Sequence, residues 1–161
     1  MGTRISFVMM LFIGSMPFAI FNLIPFISGW TPQPRHMAAS IAASLILLLT
    51  GFIMAWKKQR FFLRWYSAYW LFGAALLSMA VLTDINEPFS LLLLLSAGFV
   101  YASPLYGLQS FFGLPAYSSH FPVLALTGWL CGMAGFGAGF LTRKIYFQSF
   151  SGRTNSGKPK A

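Results

Sequence analysis

The stretch MAASIAASLILLLTGFIMAW, residues 37 to 56, runs for 20 residues without a charged side chain. A helix that rises about 1.5 Å per residue needs about 20 apolar residues to cross the roughly 30 Å hydrocarbon core of a bilayer. This stretch therefore predicts a transmembrane helix, with small residues near its start and a leucine-rich run further along.

The rest of the chain has the same character. Of its residues 57% are hydrophobic and 8% are charged, whereas an ordinary soluble domain has roughly 25% charged residues. Backbone groups in lipid must pair within their own segment, and no segment alternates like a barrel strand, so each is expected to be helical. The five apolar segments are Ile5 to Ser28, Met37 to Trp56, Trp65 to Thr83, Phe89 to Gly107 and Phe121 to Thr142.

These segments predict an all-α fold, a polytopic membrane helix bundle. Residues 1–142 are expected to form a single transmembrane domain. Residues 143–161 are expected to form a basic tail that lies at the membrane interface and is disordered beyond residue 151.

The first segment contains Pro17 and Pro25, with Asn22 between them. Proline lacks the backbone N–H and clashes with the preceding turn, so this helix is expected to kink or to end near Pro25. Asn22 is the most deeply placed strongly polar side chain. Two roles are open for it: a structural bond to backbone or a neighbouring helix, or contact with a substrate.

Basic residues concentrate in the connector after the second segment and again after the fifth. Short basic loops are held on the cytoplasmic side, so both groups are expected to be topogenic and to face lipid headgroups. Asp84 and Glu87, the only two acids, are expected on the opposite side. The basic residues are Lys57, Lys58, Arg60, Arg64, Arg143 and Lys144.

Five full crossings conflict with this rule, because three crossings separate the basic connector from the basic tail. With the N-terminus inside, Arg4 and the connector place 5 Lys and Arg inside, while Arg35 and the tail place 6 outside. If the fourth segment does not cross, 10 lie inside and 1 outside. Proline and glycine interrupt its far end, as in re-entrant segments. Two models stay open: five crossings, or four with residues 90–120 partly re-entrant.

The last segment contains GWLCGMAGFGAGF, residues 128 to 140. At about 100° per residue, Gly128, Gly132, Gly135 and Gly139 share one narrow stripe of the helix. Small residues four apart let a second backbone approach closely, which is how helices associate in lipid. We call these four residues the glycine stripe. It predicts a helix-packing surface, whose partner helix belongs either to this chain or to another subunit.

Groups that perform chemistry are few. His36, His120 and Cys131 are isolated in the sequence, and no metalloprotease, nucleophile-elbow or phosphate-loop motif occurs. We therefore expect no enzyme activity, no cofactor and no metal site, with both histidines at the membrane interface. Basic charge placed between apolar segments indicates a lipid bilayer as the partner and argues against nucleic acid.

Together these features predict a small non-enzymatic multi-pass protein of the cell membrane, with residues 57–64 in the cytoplasm. Its expected role is that of an accessory, regulatory or assembly subunit that acts through helix contacts, with another membrane protein or a second copy of the chain as partner. The alternative is a small transporter, channel or apolar-ligand-binding component, in which Asn22 and residues 103–120 line the path.

Overall fold

A computed structural model describes residues 2–59, 61–83, 88–113 and 120–154, and these residues are helical almost throughout. No strand occurs in those ranges, so the all-α prediction is confirmed. Helices α1 to α5 span Gly2–Ser28, Pro34–Trp56, Phe61–Leu82, Pro88–Ala97 and Phe121–Thr154. An irregular segment, residues 98–110, continues α4 as a π-helix, Gly98–Ala102, and a 3-10 helix, Ser103–Ser110.

Four helical stretches are long and apolar enough to cross a membrane. A fifth, Ile13–Ser28 in α1, is apolar but shorter. The five apolar segments read from the sequence therefore all correspond to helices. The four long stretches are Pro34–Trp56, Phe61–Leu82, Pro88–Ser110 and Phe121–Gln148.

Helix α1 continues through both of its prolines. It contains Pro17 and Pro25 and ends at Ser28, so the expectation that it ends early near Pro25 is wrong. The stop comes one turn later, where Gly29 adopts φ 63° and the N–H of Trp30 donates to the Pro25 carbonyl at 3.1 Å. A left-handed glycine with this backbone bond is a common way to end a helix.

The end of α2 has the same geometry without a glycine. Lys58 adopts φ 58°, its N–H donates to Ala55 O at 3.1 Å, and the N–H of Gln59 donates to Met54 O at 3.0 Å. This pair of bonds is the Schellman motif, in which glycine is the usual left-handed residue. A lysine therefore stands in a backbone conformation that costs L-residues free energy.

Helix α5 runs parallel to α2. Gly135 lies against the backbone of Leu48, and further along both helices the rings of Trp56 and Tyr146 are 6.0 Å apart. These two helices make the most extensive contact in the bundle. Helix α5 continues to Thr154, so the helix does not stop at the domain boundary predicted at residue 142; residues 155–161 lie outside the described ranges.

Helix α3 runs antiparallel to α5. Gly128, early in α5, lies against the ring of Trp70, whereas Phe136, two turns later, stacks on Phe62 near the start of α3 at 5.4 Å. The bundle therefore has two distinguishable ends. We call the end where α2 stops and α3 starts the basic end, and the end where α1 stops and α2 and α5 start the polar end.

The stretch from α4 through the irregular segment begins and finishes at the polar end. Ser90 donates to the hydroxyl of Thr83, just after α3, at 2.6 Å. Further along, the side chain of Tyr101 lies against Gly73, within α3. The N–H of Gly107 then donates to Ser40 Oγ, near the start of α2. The chain therefore enters from the polar end, descends part of the way along α3 and returns.

Candidate functional site

Buried polar side chains gather where the end of α1, the start of α2 and the irregular segment meet. A polar group buried without a hydrogen bond costs about 1–3 kcal/mol in protein mutational data, so the partner of each one matters. We call this group the polar cluster. Its members are Asn22, His36, Ser40, Ser103 and Gln109.

Asn22 is at the centre of the polar cluster. Its Nδ2 donates to Ser40 Oγ at 3.1 Å and faces Pro104 O at 3.5 Å. A carbonyl oxygen can only accept a hydrogen bond, so the amide atom of Asn22 that faces Pro104 O must be the nitrogen. Its Oδ1 then lies 3.0 Å from His36 Nδ1, which must carry a proton to make this bond. In the neutral imidazole, Nε2 is consequently the acceptor nitrogen.

Two further bonds attach the irregular segment to the same helices. Ser103 donates to Ala19 O in α1 at 2.8 Å, and the Gly107 N–H donates to Ser40 Oγ at 2.9 Å. A Cβ at Gly107 would collide with the carbonyl group of His36, so the approach requires glycine. The irregular segment is thus fixed to α1 and α2 by side chains and by close backbone contact.

Gln109 differs from the other members because its amide has no hydrogen-bond partner. The residue is 1% exposed, and neither Oε1 nor Nε2 makes a bond. The hydroxyl of Tyr106 lies near the amide, but it donates its proton to Trp30 O at 2.9 Å, and its oxygen does not accept from Gln109 with the geometry of a hydrogen bond. A free amide offers two donors and an acceptor, so this part of the polar cluster has unused hydrogen-bonding capacity.

His36 lies in the protein interior although it stands in the first turn of α2. It is 6% exposed, and its ring centroid lies 5.2 Å from that of Phe21. The bond to Asn22 holds the ring against the bundle, and the position of His36 at the membrane interface stays a prediction. His120 and Cys131 are each half-buried, and neither belongs to the polar cluster.

The glycine stripe of α5 is covered by helices of the same chain. All four glycines are buried, and a Cβ at each would meet a neighbouring atom at less than van der Waals distance. Gly128 and Gly132 lie against α3, and Gly135 and Gly139 against α2. The groups in contact are, in order, the ring of Trp70, the ring of Tyr66, the backbone of Leu48 and the backbone of Phe52.

The described basic residues that were predicted to be topogenic lie at the basic end. Those of the connector follow α2 or lie in the first turn of α3, and those of the tail lie in α5 beside Trp56 and Tyr146. Arg143 also sits 5.4 Å from the ring centre of Phe147. The residues placed there are Lys57, Lys58, Arg64, Arg143 and Lys144, whereas Arg60, Asp84 and Glu87 lie outside the described residues.

Within the described ranges no three His, Cys, Asp or Glu side chains lie together in a way that could hold a metal ion. The chain matches no protein-family model, no curated protein and no solved structure. Its function therefore has to be inferred from the polar cluster and from the two ends of the bundle.

Sequence reasoning found Asn22 because a lone amide in an apolar segment is conspicuous. It missed the partners. His36 and Ser40 stand one helical turn apart on α2, a spacing that puts them on one face, and this signal was present in the sequence. Gln109 carried no such signal, since its burial depends on the path of an irregular segment.

Proposed function

We propose that this is a multi-pass protein of the cell membrane with four crossings, α1, α2, α3 and α5, and with residues 88–113 re-entrant from the polar end. The support is the position of Ser90 beside Thr83 and of Gly107 beside Ser40, which puts both ends of this stretch at the polar end. Residues 88–110 are long enough to cross, but their contacts favour a return to the side of entry.

The charge distribution agrees with this topology. With four crossings, 10 of the 11 Lys and Arg residues belong by sequence order to the basic end, and Arg35 alone belongs to the other. Basic residues beside short loops are retained in the cytoplasm. We therefore assign the basic end, including residues 57–64, to the cytoplasmic side.

Impermeant maleimide labelling of single cysteines in a Cys131→Ser background tests the topology. Gln33→Cys marks the polar end, Lys144→Cys marks the basic end, and Ser110→Cys is the probe; all three positions are exposed. With four crossings, Ser110→Cys reacts from the same side as Gln33→Cys, and Lys144→Cys from the opposite side. Five crossings would give the reverse pattern. Ser110→Cys would then react from the side opposite to Gln33→Cys, and Lys144→Cys from the same side as Gln33→Cys.

For the biochemical role, we propose a non-enzymatic transporter or channel component for small uncharged solutes that form hydrogen bonds. The observation that carries this proposal is the unpaired amide of Gln109 inside a cluster of otherwise paired polar groups. Polar side chains are costly to bury among apolar helices, and in membrane proteins such groups often line substrate paths. The polar cluster contains no Lys, Arg, Asp or Glu, which suits an uncharged solute.

Irregular backbone is a second source of support. Re-entrant and broken helices are tolerated at membrane depth where they are buried in protein or line a cavity, and transporters place binding sites at such breaks. Here a π-helix and a 3-10 helix follow each other directly, and they meet α1 between Pro17 and Pro25. The irregular segment and the proline-containing part of α1 therefore meet at Asn22.

The test is solute flux into vesicles that contain the purified protein. Light scattering reports permeation of water, glycerol and urea, and an enclosed pH dye reports protons. We expect flux of at least one neutral solute above empty vesicles and a several-fold loss in Gln109→Leu. Thr127→Val, which removes a hydroxyl bonded within its own helix, is the matched control. Folded wild-type protein that passes none of these solutes would refute transport.

The accessory-subunit role remains a second proposal on a different surface. The glycine stripe is occupied by α2 and α3, so a partner would have to use another face. Helix α1 offers one, because Ile13, Ile20, Ile24 and Ile27 are spaced at helical intervals and exposed. A partner that co-purifies in mild detergent with wild type but not with Ile20→Trp would support this role.

A further inference from the structure

We propose that a crevice between α1 and α2, beside the indole of Trp70, is a binding site for one ordered water molecule, or for a polar molecule of that size. The crevice is lined by residues from both helices, by Trp70 of α3 and by Pro104 of the irregular segment. Its volume is about 10 Å³, which is close to the space that one water needs. The lining residues that matter here are Gly14, Thr50 and Trp70.

The first reason is an unpaired donor. Trp70 is 2% exposed, and its Nε1–H makes no hydrogen bond to any protein group. Most buried donors in proteins are paired with protein or with ordered water. The outer edge of the six-membered ring packs on Gly128, a contact that does not involve Nε1.

The second reason is that the crevice also contains an acceptor. Thr50 donates its hydroxyl proton to Ile46 O at 2.7 Å. A hydroxyl that has used its proton on backbone keeps lone pairs that accept. A water here would accept from Trp70 and donate to Thr50, which gives two of the about two to four bonds that a buried water makes.

The crevice adjoins the polar cluster at Pro104. Pro104 contributes to its lining, and the carbonyl of the same residue faces Nδ2 of Asn22. A water in the crevice therefore extends the hydrogen-bonding groups of the polar end toward the centre of the bundle. The unpaired indole supports this water whether or not the protein transports anything, so this inference does not depend on the proposed function.

One protein group competes for the donor. The hydroxyl of Tyr66, which donates to Gly128 O at 2.6 Å, lies near the indole of Trp70. If its oxygen accepted the indole proton directly, the water would lose its donor. The experiment must therefore separate a bond to water from a bond to tyrosine.

The test uses the full-length protein, labelled with ¹⁵N-tryptophan, in detergent micelles. Nuclear Overhauser transfer from water to each indole proton is measured, and Trp70→Phe identifies the Trp70 signal. Trp129 is the internal control, because its Nε1 donates to Ser67 Oγ at 3.0 Å. Its signal measures the transfer that reaches an indole proton through a hydroxyl group that exchanges its proton with water. We expect at least twice that transfer at Trp70. Transfer equal to or below that of Trp129 would overturn the proposal.

A pair of glycine variants confirms the location. A Cβ at Gly14 would meet Ile46 Cγ2 at an ordinary 3.6 Å, so Gly14→Ala should fold while its methyl group narrows the crevice. Gly137→Ala, whose Cβ has nothing within 4 Å, is the control. We expect the Trp70 transfer to fall to the Trp129 level in Gly14→Ala and to stay unchanged in Gly137→Ala. An unchanged signal in Gly14→Ala would place the water elsewhere and contradict the site.

Discussion

Helix α5 and the irregular segment both pack against α2 through a glycine, but only the irregular segment adds hydrogen bonds. In α5, Gly135 brings its backbone against that of Leu48 without any side-chain hydrogen bond between the two residues. In the irregular segment, Gly107 lies against the backbone of His36, and its N–H donates to Ser40 Oγ, which also accepts from Asn22 in α1. The first contact requires only the absence of side-chain atoms and the second also requires particular polar atoms, so the two should fail differently when they are mutated.

The largest effect is expected from the glycine stripe. In Gly135→Leu the new side chain would collide with the Leu48 carbonyl, and because both partners are backbone, α2 and α5 must separate. Overpacking costs 1–3 kcal/mol where side chains can shift, so we expect about 3 kcal/mol or more here. Thermal unfolding in detergent, followed by circular dichroism, measures it.

Gly137→Leu is the control on the same helix, because its added side chain meets open space. Replacing a helical glycine there should leave stability unchanged or raise it by about 1 kcal/mol. Equal melting temperatures for Gly135→Leu and Gly137→Leu would show that the stripe does not carry the contact between α2 and α5.

The next effect concerns the centre of the polar cluster. Asn22→Leu removes the partner of His36 Nδ1 and one donor to Ser40 Oγ. Leaving a buried polar group unpaired costs about 1–3 kcal/mol, and we expect a loss of about 2 kcal/mol in chemical or thermal unfolding. Because the two residues share one bond, His36→Leu added to Asn22→Leu should cost clearly less than the sum of the single variants. Strict additivity would mean that they do not interact.

Gln109→Leu should separate stability from function. Its amide is buried without a partner, so an apolar group of similar size should leave stability unchanged or raise it by up to about 1 kcal/mol. Flux through reconstituted vesicles should nevertheless fall several-fold. The exposed Gln33→Leu serves as the reference for both measurements. A destabilisation as large as that of Asn22→Leu would show that the Gln109 amide is already paired.

The smallest effect is expected at the C-terminal ends of α1 and α2, where each helix stops at a residue with left-handed backbone. Lys58 has φ 58° and Gly29 has φ 63°. We expect Lys58→Gly to stabilise by about 0.5–1 kcal/mol, because glycine adopts this conformation without the steric cost that lysine incurs, and Gly29→Ala to destabilise by a similar amount. Lys57→Gly, at φ −77°, removes the same charge and should not stabilise. Melting temperatures of the three variants measure these changes, and equal values for Lys58→Gly and Lys57→Gly would show that the backbone conformation of Lys58 costs no free energy.

How far the sequence predicts these features depends on whether they are periodic. The stripe repeats at helical spacing, so its four glycines could be placed on one face, although whether the covering helix belonged to the same chain could not be read. The position of α2 followed from its uncharged run, with its start moved back to Pro34, where proline suits the first helical turn.

The polar cluster was far less accessible to sequence reasoning. Its bonds connect Asn22 with Pro104 and Ala19 with Ser103, 82 and 84 residues apart. Such pairs follow from the path of the irregular segment, which turns back over a π-helix and a 3-10 helix. Proline and glycine at residues 103–115 indicated that the helix was broken there, but the direction in which the chain continues was set by tertiary contacts.

The long separations within the polar cluster also determine the order in which the molecule can assemble during synthesis. When residues 98–110 leave the ribosome, α1, α2 and α3 already exist, so Ala19 and Ser40 are available as bonding partners 84 and 67 residues upstream. Nothing within the irregular segment itself replaces those bonds. We therefore expect this segment to fold after α1 and α2 have formed, and α5, which is made last, to pack its glycines against α2 and α3 after that.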